Sequence, residues 1–180
     1  MIRAVRLALI LIAMAPALGG CGLQSLYASG AQGQTAILLK SIRVAPVDGK
    51  SGWLLRNALR DRLESAKDGE NVGAEYRLDI RLDDQISGFG VRADDAVTRE
   101  RRTLRARYQL VEIATGAVLL DATAGSDAGI DVVSSEYATI AAEDSALERL
   151  SGVVADQIVA RLALYAKRAN STETAPVTAP

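Results

Sequence analysis

The stretch Tyr76-Arg77-Leu78-Asp79-Ile80-Arg81-Leu82-Asp83 carries the strongest periodic pattern in this chain. Apolar or aromatic residues alternate with charged residues at every position of it. Because successive side chains of a β-strand point to opposite faces of a sheet, this alternation predicts a strand with one buried face and one face in water. We therefore expect a sheet that other elements cover on one side only.

Two more strands are predicted further along the chain. A turn-rich link at residues 88–95 leads to a second alternating segment at 104–111, and Thr115-Gly116 connects that segment to apolar residues at 118–122. Short connections between consecutive strands favour antiparallel pairing. The three strands are therefore expected to form an antiparallel meander. Residues 125–133 show no clear period, and their structure stays open.

Helical patterns precede and follow the meander. A short strand at residues 42–47 is followed by a helix that begins near Ser51 and carries leucines at helical spacing. A long helix is predicted from Glu136 to Arg168, capped by Ser134 or Ser135. Strand, helix, three strands and long helix together predict an α+β fold, a two-layer sandwich in which a four-stranded mixed sheet carries two helices on one face.

The first twenty residues indicate an exported lipoprotein. Arg3 and Arg6 precede an apolar run at residues 7–18, which is shorter than the roughly 20 residues that a membrane-spanning helix needs. The following Gly19-Gly20-Cys21 resembles a bacterial lipobox, so Cys21 is the predicted site of lipid attachment. The alternative is an ordinary secretory signal with an incidental cysteine.

These patterns divide the chain into four regions. Residues 1–20 are the predicted lipoprotein signal peptide, 21–35 the acylated cysteine and a flexible tether, 36–168 one α+β domain, and 169–180 a disordered tail. Acyl chains joined covalently to Cys21 are the only attached group that we expect, and no cofactor is predicted.

Composition argues against an enzyme. The 180 residues contain no His and a single Cys, which excludes Ser-His-Asp or Cys-His catalysis, an internal disulfide and any metal site built from His or several Cys. No Gly-x-Ser-x-Gly motif is present, so a hydrolase is a weak alternative. The formal net charge is -1, and without residues 1–20 the chain has 19 basic and 22 acidic side chains. We therefore expect no binding of nucleic acid.

Four segments carry a resemblance to a known family. They are Cys21-Gly22-Leu23-Gln24-Ser25-Leu26-Tyr27 after the lipobox, Leu54-Leu55-Arg56-Asn57-Ala58-Leu59, Ser134-Ser135-Glu136-Tyr137-Ala138 and Ala142-Glu143-Asp144-Ser145-Ala146. In their combination and in element order, the chain resembles the LPS-assembly lipoprotein LptE family.

The resemblance implies a role in lipopolysaccharide export. Proteins of this kind plug an LptD-like outer-membrane β-barrel and help to insert lipopolysaccharide into the outer leaflet without catalysis. Gly22 stands where aspartate would retain a lipoprotein at the inner membrane, so the expected location is the periplasmic side of the outer membrane. The alternative is a lipoprotein accessory subunit of an ABC-type lipid transporter, which would associate with an inner-membrane complex.

The candidates for contact with lipopolysaccharide are arginines. Residues 99–107 contain five Arg and one acidic residue, and guanidinium groups bind phosphates, such as those of lipid A, through paired hydrogen bonds. An alternative for Arg105 and Arg107 is pairing with Asp79 and Asp83 of the neighbouring strand. The complete set of candidates is Arg92, Arg99, Arg101, Arg102, Arg105 and Arg107.

Overall fold

The computed structural model describes residues 33–64, 73–91, 97–133 and 135–173. The predictions for the signal peptide, Cys21 and Arg92 lie outside the described residues. Within these ranges the elements follow in the order α1 (Gln34–Lys40), β1 (Ile42–Val44), α2 (Gly49–Glu64), β2 (Tyr76–Val91), β3 (Val97–Glu112), β4 (Val118–Asp131) and α3 (Glu136–Glu173).

The sheet has the strand order β1-β2-β3-β4. β1 runs parallel to β2, whereas β2, β3 and β4 form an antiparallel meander in which Leu78 lies opposite Leu110 and Ala106 opposite Ala124. All helices pack on one side of the sheet, so their apolar residues and those of the strands share one core. The predicted α+β fold with a four-stranded mixed sheet is confirmed.

The core contains the side chains that the periodic patterns selected. From the strands, Leu78, Leu104, Ala106, Tyr108 and Leu110 are fully buried. They pack in one cluster with leucine, valine and isoleucine side chains of the helices. Burial of this apolar surface is the main favourable contribution to folding. The largest fully buried side chains that the two long helices contribute are Leu55, Leu59, Leu147, Val154, Ile158 and Leu162.

The helical layer contains a third helix that the sequence did not predict. α1 has only seven residues and starts within the predicted tether, yet it buries Ala36 and Leu39 against the core. α3 has 38 residues, or about 57 Å at about 1.5 Å per residue, and ends five positions beyond Arg168. Its N-terminus is capped as predicted by Ser135, whose Oγ accepts a hydrogen bond from the backbone N–H of Ala138.

The strands are longer than predicted. Residues 88–91 belong to β2 rather than to a turn, and residues 125–131 belong to β4. Pairing with β3 explains both differences, because Phe89 lies opposite Arg99 and Ile130 opposite Glu100. Backbone hydrogen bonds along a ladder stabilise strands even where glycines and small residues weaken the side-chain pattern.

α2 and α3 run parallel and are joined near both ends of α2. Lys50 lies 2.6 Å from Asp144, and Arg62 Nη2 lies 3.0 Å from Asp156 Oδ2. Arg62 also donates hydrogen bonds to two backbone carbonyls, those of Ala58 and Gly152. Polar contacts therefore join α2 and α3 to each other along the length of α2. None of the described helices has the length and apolar content that crossing a membrane would require.

Candidate functional site: the outer sheet face

The face of the sheet that points away from the helices, here called the outer sheet face, is strongly charged. It forms because every second residue of β2, β3 and β4 turns away from the core. Its cations are Arg77, Arg81, Arg99, Arg101, Arg105 and Arg107, and its anions are Asp79, Asp83, Asp121, Asp127 and Asp131.

Most of these arginines already have a carboxylate partner. Arg107 lies 2.9 Å from Asp121, and Arg99 lies 2.9 Å from Asp131. Arg77 pairs with Asp79 on its own strand at 2.8 Å, and Arg101 lies 3.8 Å from Asp127. The hydrogen bond to Asp121 and its negative charge raise the pKa of Arg107, and the same hydrogen bond is the largest cause that lowers the pKa of Asp121.

Neither Arg105 nor Arg107 forms the predicted ion pair with Asp79 or Asp83. Arg107 is neutralised, but by Asp121 of β4 rather than by a carboxylate of β2. Asp79 is engaged by Arg77, and the Oδ1 atom of Asp83 accepts a hydrogen bond of 3.0 Å from Gln85. Register explains the difference, because Arg107 lies opposite Arg81 on β2 and opposite Thr123 on β4.

Two arginines in the middle of the outer sheet face are exposed and form no ion pair with any described residue. They are Arg81 of β2 and Arg105 of β3. Asp83 lies opposite Arg105 in the register, and within the described chain it too makes no ion pair. Arg81, Arg105 and Asp83 thus place two positive charges and one negative charge without ion pairs in the middle of the outer sheet face. The formal net charge of the whole chain is -1.

A cavity of about 560 Å³ lies beside Arg81, Asp83 and Arg105. Its lining has three arginines, Arg81, Arg105 and Arg107, and two carboxylates, Asp83 and Asp127, so guanidinium groups are in excess around this space. A second cavity of about 370 Å³ near Pro46 shares Arg81 and Arg107 with the first. Because guanidinium groups bind phosphate and carboxylate through paired hydrogen bonds, the arrangement suits an anionic ligand.

Arg102 does not belong to the outer sheet face. It points toward the helices, where its guanidinium lies 2.7 Å from Asp84 and donates a hydrogen bond of 3.1 Å to the backbone carbonyl of Glu143. The hydrogen bond that Arg102 donates to the carboxylate of Asp84 is the main cause that raises the pKa of Arg102. Strand alternation therefore separates Arg102 from Arg99 and Arg101, with which it was grouped as a candidate.

The sequence patterns missed Arg81 as a site residue. Arg81 lies within residues 76–83, where the alternating pattern indicates only that its side chain points to the wet face of the strand. The register that places it beside Arg105 and Arg107 is a tertiary property, so no local signal identifies it. Within the described ranges, no group of three or more His, Cys, Asp or Glu side chains could hold a metal ion.

The family model of LptE, described as lipopolysaccharide-assembly, matches residues 39–162. The chain belongs to the LptE family. The match covers the chain from α1 to the buried part of α3, so it includes the whole sheet and its outer sheet face. LptE is a non-catalytic family, and the family assignment makes this chain a lipopolysaccharide-assembly protein.

Solved structures of other bacterial lipoproteins share this fold. A putative lipoprotein from Caulobacter crescentus is 26% identical, with a TM-score of 0.62 over 76% of this chain and 98% of that chain. Rare lipoprotein B from Shewanella oneidensis is 11% identical, with a TM-score of 0.57 over 73% of this chain and 96% of that one. At that identity the second likeness shows the fold alone. No curated protein sequence matches the chain.

Proposed function

We propose that this protein is an outer-membrane lipoprotein that assembles with an LptD-like β-barrel, occupies the barrel lumen as a plug and assists insertion of lipopolysaccharide into the outer leaflet. The observation that carries the proposal is the LptE family match over residues 39–162. The acyl chains proposed for Cys21 would hold the protein on the periplasmic side of that membrane, since two or more chains give stable anchoring.

The outer sheet face supports a position inside a barrel. The lumen of a large outer-membrane barrel is polar and filled with water, unlike its lipid-facing outside. A face on which arginines and aspartates alternate, most of them paired, remains hydrated in such a lumen at low cost. The same face could not lie against lipid, because burying charged side chains in hydrocarbon is strongly unfavourable.

Contact with lipopolysaccharide is assigned to Arg81 and Arg105. Both are exposed and neither forms an ion pair with a described residue, so their guanidinium groups can meet a phosphate without first leaving a carboxylate. Binding of a phosphate by Arg99, Arg101 or Arg107 would first require breaking the ion pair with an aspartate. Arg102 has a structural role instead, since it is largely enclosed with Asp84.

Isolation of the acylated protein from its own membranes tests the proposal. The tagged full-length chain is extracted in detergent, and the proteins that accompany it are identified by mass spectrometry. We expect an LptD-like β-barrel in amounts similar to the tagged chain, and an unrelated tagged outer-membrane lipoprotein should not retain it. Recovery of the chain alone would contradict the proposal, and recovery with an inner-membrane ABC complex would favour the accessory subunit of a lipid transporter.

A further inference from the structure

The edge of β2 that faces β1 is open over most of its length. β1 pairs with residues 76–78 at the start of β2, and a further hydrogen bond of 3.0 Å joins the backbone nitrogen of Ala45 to the carbonyl of Leu78. Pro46 follows, which has no N–H to donate, and the chain then leaves the sheet for α2. From residue 80 to 86, no described residue forms a backbone hydrogen bond with this edge.

Pairing at the start of β2 determines which backbone groups face the open edge. The N–H of Tyr76 donates to the carbonyl of Ser41, and the carbonyl of Leu78 accepts from Ala45, so both groups point toward β1. Because the backbone groups of successive residues point alternately to the two sides of a strand, every second residue after Leu78 points the same way. The residues that direct N–H and C=O to the open edge are Ile80, Leu82, Asp84 and Ile86.

The opposite edge of the sheet, formed by β4, differs from the edge of β2. α3 covers β4 near its middle, where the side chain of Gln157 accepts a hydrogen bond of 3.1 Å from the backbone N–H of Gly125. Among the described residues, no side chain does the same for the edge of β2 between Ile80 and Ile86. An unpaired edge of this kind is a template for another strand.

Side chains on the helix-facing side of this edge are mostly apolar and incompletely covered. Ile80 and Leu82 are partly buried and pack against the core cluster. Ile86 lies further along the same side and is 42% exposed, whereas Asp84 between them is paired with Arg102. A strand added here would place every second side chain beside these residues, so apolar side chains at those positions would be removed from water.

A cavity lies along the line that such a strand would follow. It is the cavity of about 370 Å³ near Pro46, and its border includes Ile80 and Arg81 of β2. Arg81 points to the outer sheet face and forms no ion pair with a described residue. Asp79 also borders the cavity, but it is paired with Arg77. Because opposite charges on neighbouring strands attract, the unpaired Arg81 favours an acidic side chain from the occupant.

We propose that the edge of β2 between Ile80 and Ile86 binds an extended segment of a partner protein as an added strand in line with β1. Apolar residues of the segment face the helices, and an acidic residue faces Arg81. Backbone hydrogen bonds supply the affinity of such strand addition, and the side-chain pattern supplies its selectivity. The inference does not depend on the proposed function. Arg81 borders both cavities and can bind either this carboxylate or a phosphate, whereas Arg105 borders the first cavity and not the second.

Residue-resolved amide hydrogen exchange of the full-length protein tests the proposal. The probe is a synthetic peptide of alternating valine and threonine with one glutamate in place of the central threonine. In the free protein, the amides of Ile80, Leu82 and Ile86 should exchange faster than those of Arg81 and Asp83, which face β3. With the peptide at about 1 mM, exchange of the first set should slow at least about twofold, the factor expected when half of the sites are occupied. Unchanged exchange of these amides would overturn the proposal.

Methylated peptides show whether the backbone of the probe is needed. Two peptides of the same sequence carry N-methyl groups on the valines in one case and on the threonines in the other. One of the two should fail to slow exchange, because its methyl groups replace the N–H groups that face β2. Equal binding of both methylated peptides and the parent peptide would overturn strand addition.

The role of Arg81 is tested with a matched control. Arg81→Gln should weaken binding of the glutamate peptide by about two- to fivefold, as expected for one cross-strand charge pair. Arg99→Gln removes the same charge from the outer sheet face, at a position paired with Asp131 of β4, and should leave this binding unchanged. Equal losses in both variants would overturn the acidic contact. Protection that appears without peptide as the protein is concentrated would show that a second copy fills the edge, and it would overturn the assignment to a partner protein.

Discussion

Arg102 of β3 and Asp84 of β2 form a salt bridge of 2.7 Å on the helix-facing side of the sheet, with side chains that are only 12% and 18% exposed. Arg101 precedes Arg102 in sequence, yet it lies on the outer sheet face beside Phe89, with its guanidinium 5.4 Å from the ring centroid. These adjacent arginines therefore have different roles: Arg102 is largely buried between the sheet and the helices, and Arg101 is exposed on the outer sheet face.

The first prediction concerns this enclosed pair. Arg102→Met should lower the free energy of unfolding by about 3 kcal/mol, because it leaves the carboxylate of Asp84 shielded from water without a partner. Arg101→Met is the matched control and should cost less than about 1 kcal/mol, as exposed ion pairs usually do. Urea denaturation of both variants measures the difference. Equal costs would mean that Asp84 finds another partner or enough water.

Two glycines in helices should respond in opposite ways to alanine. A Cβ at Gly52 of α2 would lie 2.7 Å from the backbone oxygen of Val47, so Gly52→Ala should destabilise the protein by about 1–3 kcal/mol. A Cβ at Gly152 of α3 would meet only the Arg62 guanidinium at 3.7 Å, so Gly152→Ala should stabilise it by up to about 1 kcal/mol.

Thermal unfolding of the two variants checks the signs. Helix propensity alone predicts that both substitutions stabilise, since alanine favours helix over glycine. A stabilised Gly52→Ala protein would show that the loop before α2 can move away from the helix.

A pH effect is expected at the junction of α2 and α3. The hydrogen bonds from Arg62 are the main cause that lowers the pKa of Asp156. Asp156 therefore contributes stability above its ordinary pKa, and this contribution is lost as pH falls through the lowered pKa of the folded state. Asp156→Asn should reduce stability at neutral pH by less than about 1 kcal/mol, because the carboxylate is largely exposed.

Chemical denaturation at neutral and strongly acidic pH tests this prediction. The difference between Asp156→Asn and the unsubstituted protein should vanish in acid. A constant difference at all pH values would assign the effect to packing of the amide rather than to the charge of Asp156.

The two unpaired arginines should dominate binding of lipopolysaccharide. Arg81→Gln with Arg105→Gln should weaken binding by about tenfold for each guanidinium lost, in line with about 1.5–3 kcal/mol for a charged hydrogen bond. The control is Arg77→Gln with Arg99→Gln, which removes the same charge from paired positions. Titration of the purified full-length protein with lipopolysaccharide at several salt concentrations distinguishes them, since equal losses would indicate only a general effect of net charge.

The lipid anchor can be tested separately. Cys21→Ser removes the thiol that we predict to be acylated, and it should release the protein from membranes unless a barrel retains it. Mass spectrometry of the mature N-terminus and flotation of membranes provide the measurements. A mature N-terminus of the unsubstituted protein that lacks the mass of acyl chains would contradict the prediction of an acylated cysteine.

Sequence periodicity determined much of the fold. Alternation at residues 76–83 and 104–110 depends only on the geometry of a strand, and it correctly identified the buried face of the sheet. The helical spacing of leucines and the cap at Ser135 identified both long helices. The short helix α1, Gln34–Lys40, was not predicted because seven residues are too few to show a clear helical periodicity. Packing against α3 stabilises it, since helix propensity alone does not stabilise so short a helix.

The sequence by itself determined which residues are charged, which are apolar and which strand face is wet. Only the tertiary structure decided which charges meet. Successive side chains of a strand point to opposite faces, so the sequence alone places Arg101 and Arg102 on different faces of the sheet. The register of β3 with β2 and β4, by contrast, is set by pairing across the sheet. In that register Arg107 forms an ion pair with Asp121 and Arg99 forms one with Asp131. Arg81 and Arg105 form no ion pair with a described residue and can therefore bind an anion.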